Sequence, residues 1–173
     1  ETGTYITEFG SLSKWTGGRE YYNAAKKAFK YTFDRRTSVD LLPWDVHAET
    51  GAWRNLFATI GPPADSYYEY LWDGWALLGD PDLKAWYDTL VPAILNHQSE
   101  VVGGRLWFAQ VDAFTGAVVS REQSELASFF AGLLAEGGDV PTGRKYHDSR
   151  NAVQDRYGVL PEGIEYPTLS ATS

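Results

Sequence analysis

The sequence contains no cysteine and no methionine, so disulfide staples and thiolate metal ligands are excluded from the outset. Its three histidines, His47, His97 and His147, are scattered along the chain and lack the close spacing of a histidine metal site. Acidic residues outnumber basic ones to leave a net charge of −8, and no cluster of lysines or arginines exists to neutralise a run of phosphates. Nucleic acid is therefore not an expected partner. No apolar stretch reaches the ~20 residues of a membrane span, so none is expected. A Gly-rich phosphate loop, a nucleophile elbow and a thiol nucleophile are also missing. Acid–base chemistry by carboxylates is what remains.

What the sequence has in quantity is aromatic side chains, 15% of its 173 residues, which is enough to bury a core of ordinary domain size. Three segments share one plan: a helix, a tight glycine turn, and a second helix. The turns are Thr16-Gly17-Gly18-Arg19, Leu78-Gly79-Asp80-Pro81 and Gly137-Gly138-Asp139 leading to Pro141. They recur at roughly sixty residues, as in stacked helical hairpins. Within the second pair, Tyr67 to Leu78 is apolar almost throughout and predicts a helix buried on all sides. The stretch from Asp82 to His97 instead spaces Leu83, Trp86, Tyr87, Leu90, Val91, Ile94 and Leu95 for one buried face, with Pro92 as an expected kink. One helix inside and one outside defines an all-α fold of the (α/α) toroid type. Three hairpins make only an arc of such a ring, so the chain (1–173) reads as part of a larger domain or as an open solenoid.

The links between hairpins, Thr37 to Ala64, Gln98 to Arg121 and Gly158 to Ser173, far exceed ordinary connections, and excess of that kind tends to carry function. Two of them hold a matching insert, Leu41 to Val46 with Thr50-Gly51 and Leu106 to Val111 with Thr115-Gly116, each predicted as a small β-hairpin. Up-and-down packing sends all the links to one end. Acidic residues gather there: Glu1 before the first inner helix, Asp65 and Glu69 at the start of the second, Glu125 near the third, Glu162 in the last link. Carboxylates around one mouth, interleaved with aromatic faces, suit sugar cleavage, in which one acid protonates the leaving oxygen and another activates water. Structural readings stand beside this. Asp65 or Ser66 fits an N-cap, and Ser66 with Glu69 fits a capping box. Glu125 fits a first-turn acid favoured by the helix dipole, and Glu162 a surface loop residue.

The ordered motifs resolve more than the pattern does. Ala64-Asp65-Ser66-Tyr67-Tyr68-Glu69-Tyr70-Leu71 resembles the A-D-S-Y-Y-E-Y-L element of the family 47 glycoside hydrolases, the class I α-1,2-mannosidases. Glu1 and Thr4 to Phe9 resemble that family's E-x-x-T-x-x-x-E-F, and Leu12, Ser13, Thr16 and Gly17 its L-S-x-x-T-G. Phe129 to Leu133 with Gly138-Asp139, and Gly158-Val159-Leu160-Pro161-Glu162, are similar to its F-x-P-G-L and G-x-L-P-E elements. The resemblance covers nearly the whole chain but only the middle of the family's domain, a barrel of seven hairpins.

The resemblance implies an inverting, calcium-dependent hydrolase that removes terminal α-1,2-linked mannose from mannose-containing oligosaccharides. Asp65 falls on the family's active-site aspartate, a catalytic candidate acting through water. Glu1, Glu69 and Glu162 fall on acidic residues of the same pocket, and Glu125 stands where the processing enzymes carry a histidine. These four are the substrate-binding candidates. The general acid, the general-base candidate and the direct Ca²⁺ ligand belong to parts of the domain outside this stretch, so the remaining segments of that domain are expected partners and the stretch alone should not catalyse. Pro63 replaces an arginine of the processing enzymes, a departure nearer to the ER degradation-enhancing mannosidase-like branch. A mannose-glycan-binding, lectin-like module of the same fold with little turnover is the alternative. The setting would be the secretory pathway in a eukaryote, or the periplasm or exterior of a bacterium, where the absence of cysteine and of N-x-S/T sequons fits.

Overall fold

The computed structural model describes residues 3–172; Glu1, a candidate from the sequence, lies outside the described residues. Six helices form three hairpins: α1 (Ile6–Thr16) with α2 (Glu20–Phe33), α3 (Asp65–Leu78) with α4 (Pro81–His97), and α5 (Phe129–Glu136) with α6 (Val140–Tyr157). Local chemistry sets their ends. Gly17 and Gly79 close α1 and α3 in the left-handed conformation, which costs a residue without Cβ little. The Asp80 side chain accepts from the Asp82 amide ahead of Pro81 at the first position of α4. Asp139 does the same for Thr142 at the start of α6. Caps of this kind contribute about 1 kcal/mol each. Pro92 lies inside α4 on its exposed side, and the helix runs through it without a break.

The amphipathic reading of α4 holds: Leu83, Trp86, Tyr87, Leu90, Val91 and Ile94 are all buried. The reading of α3 as buried on all sides needs correction. Tyr67, Tyr68, Leu71 and Gly74 are buried, whereas Asp73, Ala76 and Leu77 are exposed, Leu77 by 55%. Among the described residues α3 packs on α1, α4 and α5, and these neighbours cover one side of it. Aromatic contacts knit the hairpins together. Phe29 of α2 stacks on Tyr67 at 4.5 Å between ring centroids, and Phe33 stacks on Trp86 at 5.1 Å. Phe108 meets Phe130 and Tyr146 edge-on at 5.0 and 4.9 Å, tying the third hairpin to the link before it.

Among the described residues the links carry ten short strands. The first predicted insert is the hairpin of β1 (Asp45–Val46) and β2 (Trp53–Asn55), followed by β3 (Phe57–Ala58). After α4 come β4 (Ser99–Val102) and β5 (Arg105–Phe108), paired through Gly103-Gly104; the second predicted insert forms only in part, because its expected first strand, Leu106 to Val111, breaks at Ala109 and only β6 (Gln110–Asp112) pairs with β7 (Val118–Ser120) across Thr115-Gly116. The two inserts close alike. His47 Nδ1 accepts from the amides of Glu49 and Thr50, and Asp112 Oδ1 accepts from those of Phe114 and Thr115, with a left-handed glycine next, Gly51 or Gly116. β3 pairs antiparallel with β6, so the strand that follows the first insert joins the second in one three-stranded sheet, β3-β6-β7, while β1 and β2 form a sheet of their own. The last strands, β8 (Glu122–Ser124), β9 (Gly163–Glu165) and β10 (Ser170–Ala171), form a second three-stranded sheet in the order β10-β9-β8. It brings the segment before α5 beside the segment after α6.

Candidate active site

The three links meet around a cleft of about 410 Å³. Its walls come from Trp44, from Thr59 to Pro62, from Gln110, from Glu122 to Ala127, and from Glu162 with Gly163. Two of the sequence candidates, Glu125 and Glu162, thus share one cavity although far apart in the chain. The register of the second sheet explains how: Ser124 lies opposite Gly163, and the Glu125 amide donates to the Glu162 carbonyl at 3.0 Å. Glu125 opens a four-residue 3₁₀ turn, Glu125–Ser128, that leads into α5. Its carboxylate accepts from the Ser124 hydroxyl at 2.8 Å, and its carbonyl from the Ser128 hydroxyl at 2.6 Å. The same Ser124 oxygen caps the turn by accepting from the Leu126 amide.

Asp65 and Glu69 lie on α3, one helical turn apart, and are half-buried. They do not line this cleft; the Gly61-Pro62 segment that leads into α3 does, and the Asp65 amide donates to the Gly61 carbonyl at 3.2 Å. The N-cap of α3 is Ala64, and no side chain caps the helix. Asp65 Oδ1 accepts instead from the adjacent Ser66 amide at 2.8 Å. The capping box of Ser66 with Glu69 is therefore not formed. Burial raises the Glu69 carboxyl pKa, and the negative charges of Asp65, Asp73 and Glu136 raise it further. A carboxyl repelled by its neighbours holds its proton above the usual range, as a group kept for proton handling or sugar contact often does.

Several cleft residues were not singled out from the sequence. Trp44 presents an indole that is 40% exposed, on a backbone held by its amide bond to the Phe57 carbonyl at 2.9 Å. Its place between Pro43 and Asp45 in a long link was the available signal. Glu122 adds a third carboxylate, three residues before Glu125. Gln123 is buried and fixed at both ends, donating to the Phe108 carbonyl at 2.5 Å and accepting from the Tyr146 hydroxyl at 3.2 Å. Carboxylates, carboxamides and an aromatic face around one cleft form the donor, acceptor and apolar set that a pyranose ring presents in complement.

Stacked helical hairpins with such a cleft at the link end define the α/α-barrel class. The α-1,2-mannosidase from Trichoderma reesei, an (α/α)7 barrel, superposes with a TM-score of 0.70 over 94% of this chain and 36% of that one, at 20% identity. The chain belongs to glycosyl hydrolase family 47, whose model matches residues 1–172. Alpha-mannosidase I MNS4 of Arabidopsis thaliana is 32% identical over 168 residues, 97% of this chain and 26% of that protein. ER degradation-enhancing alpha-mannosidase-like protein 2 of Homo sapiens is 30% identical over 165 residues, 95% of this chain and 28% of that protein. The chain thus spans little more than a quarter of the length of these relatives.

Proposed function

We propose that the full-length protein carrying this chain removes terminal α-1,2-linked mannose from mannose-containing glycans, with inversion and with calcium. The observation that carries the reading is the convergence of Glu125 and Glu162 on one cleft, beside the Gly61-Pro62 segment that leads into Asp65, in a chain of family 47. In this reading Asp65 helps to organise the catalytic water, while Glu69, Glu125 and Glu162, together with Glu1, hold the sugar's hydroxyls. Trp44 offers the apolar face of the sugar a stacking surface.

Among the described residues no group of three or more acidic or histidine side chains is placed to hold a metal ion. In this reading the calcium takes its direct ligands from the rest of the protein. This chain's own residues bind, orient and exclude water.

The test is mannose release from α-1,2-mannobiose by the full-length protein, with calcium and with a chelator, beside Asp65→Asn. The expected result is calcium-dependent release of β-mannose first, with kcat lowered about 10²–10⁴-fold in the variant. Calcium-dependent binding without release would replace the hydrolase by a lectin-like module. Absence of both binding and release would overturn the reading.

A further inference from the structure

Arg150 is a charged side chain in the middle of α6, on the outer layer of the third hairpin, yet it is only 3% exposed. A guanidinium removed from water is destabilising unless hydrogen bonds and a countercharge compensate, and an apolar residue of the same length would fill the space at lower cost. Its contacts show what the charge is held against. Nε donates to the Ser128 hydroxyl at 3.0 Å, and one terminal nitrogen donates to the Ser124 carbonyl at 3.2 Å. The two groups flank the turn Glu125–Ser128 at either end. The other terminal nitrogen is buried without a partner among the described residues. Burial pulls the Arg150 pKa down, while Tyr146 and Glu125 raise it, and Glu125 is the carboxylate that acts on it.

We propose that Arg150 is a positioning residue for Glu125. Its planar fork pins both ends of the turn, so that the Glu125 carboxylate faces the cleft beside Glu162. Lysine would carry the same charge but could not span both contacts with one rigid group. Ser128 links the fork to the acid, since its hydroxyl accepts from Arg150 and donates to the Glu125 carbonyl. The role in sugar binding rests on the mannosidase reading; the pinning of the turn does not.

The experiment uses the full-length protein with Arg150→Lys, Ser128→Ala, Glu125→Gln and the double variant of Arg150→Lys with Glu125→Gln. Circular dichroism and amide hydrogen exchange are measured beside KM and kcat on α-1,2-mannobiose. In Arg150→Lys the amides of residues 124–128 should exchange about tenfold faster or more, with those of α4 unchanged. KM should rise about tenfold in Arg150→Lys and in Glu125→Gln alike, kcat should stay within about threefold, and the double variant should be no worse than Glu125→Gln alone. Losses that multiply in the double variant, or wild-type KM and exchange in Arg150→Lys, would overturn the proposal. Should the arginine variant not fold, Ser128→Ala removes one contact and keeps the charge, and a wild-type KM and exchange there would overturn it as well. If the wild-type protein neither binds nor cleaves the disaccharide, the mannosidase reading falls, while exchange at residues 124–128 still decides whether Arg150 holds the turn.

Discussion

Glu69 sits one turn beyond Asp65 on α3, its carboxyl makes no hydrogen bond among the described residues, and it feels the charges of Asp65, Asp73 and Glu136. Because burial and like charges raise its folded-state pKa above the unfolded value, the folded protein binds this proton more tightly than the unfolded chain does. The resulting stability is present below the unfolded pKa and is lost as pH rises through the folded one. Glu69→Gln should therefore melt at higher temperature than the wild type at neutral pH, with the difference vanishing near pH 4, while binding mannobiose more weakly. Thermal melts between pH 4 and 7 test the sign; a variant less stable at pH 7 would contradict it. Removing a strained site residue commonly gains about 0.5–2 kcal/mol at the expense of function.

The same residues show how far the sequence could be read. Asp65 and Glu69 were visible because an eight-residue motif surrounds them, and Glu162 because it follows a Gly-x-Leu-Pro run. Glu125 was legible as an acid before a helix and as the residue standing where the processing enzymes carry a histidine. Arg150 was not legible at all: a lone arginine in a polar helix looks solvated, and its burial depends on Ser124 and Ser128 meeting it across the hairpin. No local pattern carries that information.

At the scale of elements, periodicity and turn chemistry were reliable wherever both partners were close in sequence. The three helical hairpins and the closing turns of the two β-inserts follow from their glycines and from apolar spacing. The β4–β5 hairpin also had a signal, Gly103-Gly104 between Val101-Val102 and Leu106-Trp107, since paired glycines favour the left-handed backbone of a two-residue turn. The sheet of β8, β9 and β10 had none, because its strands are two or three residues long and β8 pairs with β9 across a whole helical hairpin. Helix packing supplies a test with opposite signs in one hairpin. A Cβ on Gly143 of α6 would lie 2.5 Å from the Ala131 carbonyl oxygen, backbone that cannot swing aside. Gly132 of α5 has nothing within 4 Å of the same position. Gly143→Ala should lose about 1–3 kcal/mol by overpacking, whereas Gly132→Ala should gain up to about 1 kcal/mol from helix propensity. Urea titration of each variant measures both.

On the scale of the whole molecule, the arc is held by its aromatic seams but leaves apolar groups in the open. Trp15 of α1 is 87% exposed, and Phe9 and Leu12 on the same helix, with Tyr5 just before it, are exposed too. Such a face suits a neighbour in a larger ring, in keeping with relatives almost four times as long. The pairing of β8 with β9 has a separate consequence. Residues 122 and 165 are partners, so everything between them leaves and returns at the same place, like a loop of cord tied at its base. Cutting such a loop at its far tip need not undo the knot. A protease nick at Gly137-Gly138, the exposed tip between α5 and α6, should yield two pieces that co-elute from a native sizing column and separate only in denaturant. The acidic rim would outlive a break in the polymer that builds it, leaving this unit tolerant of insertion at a hairpin tip outside the cleft.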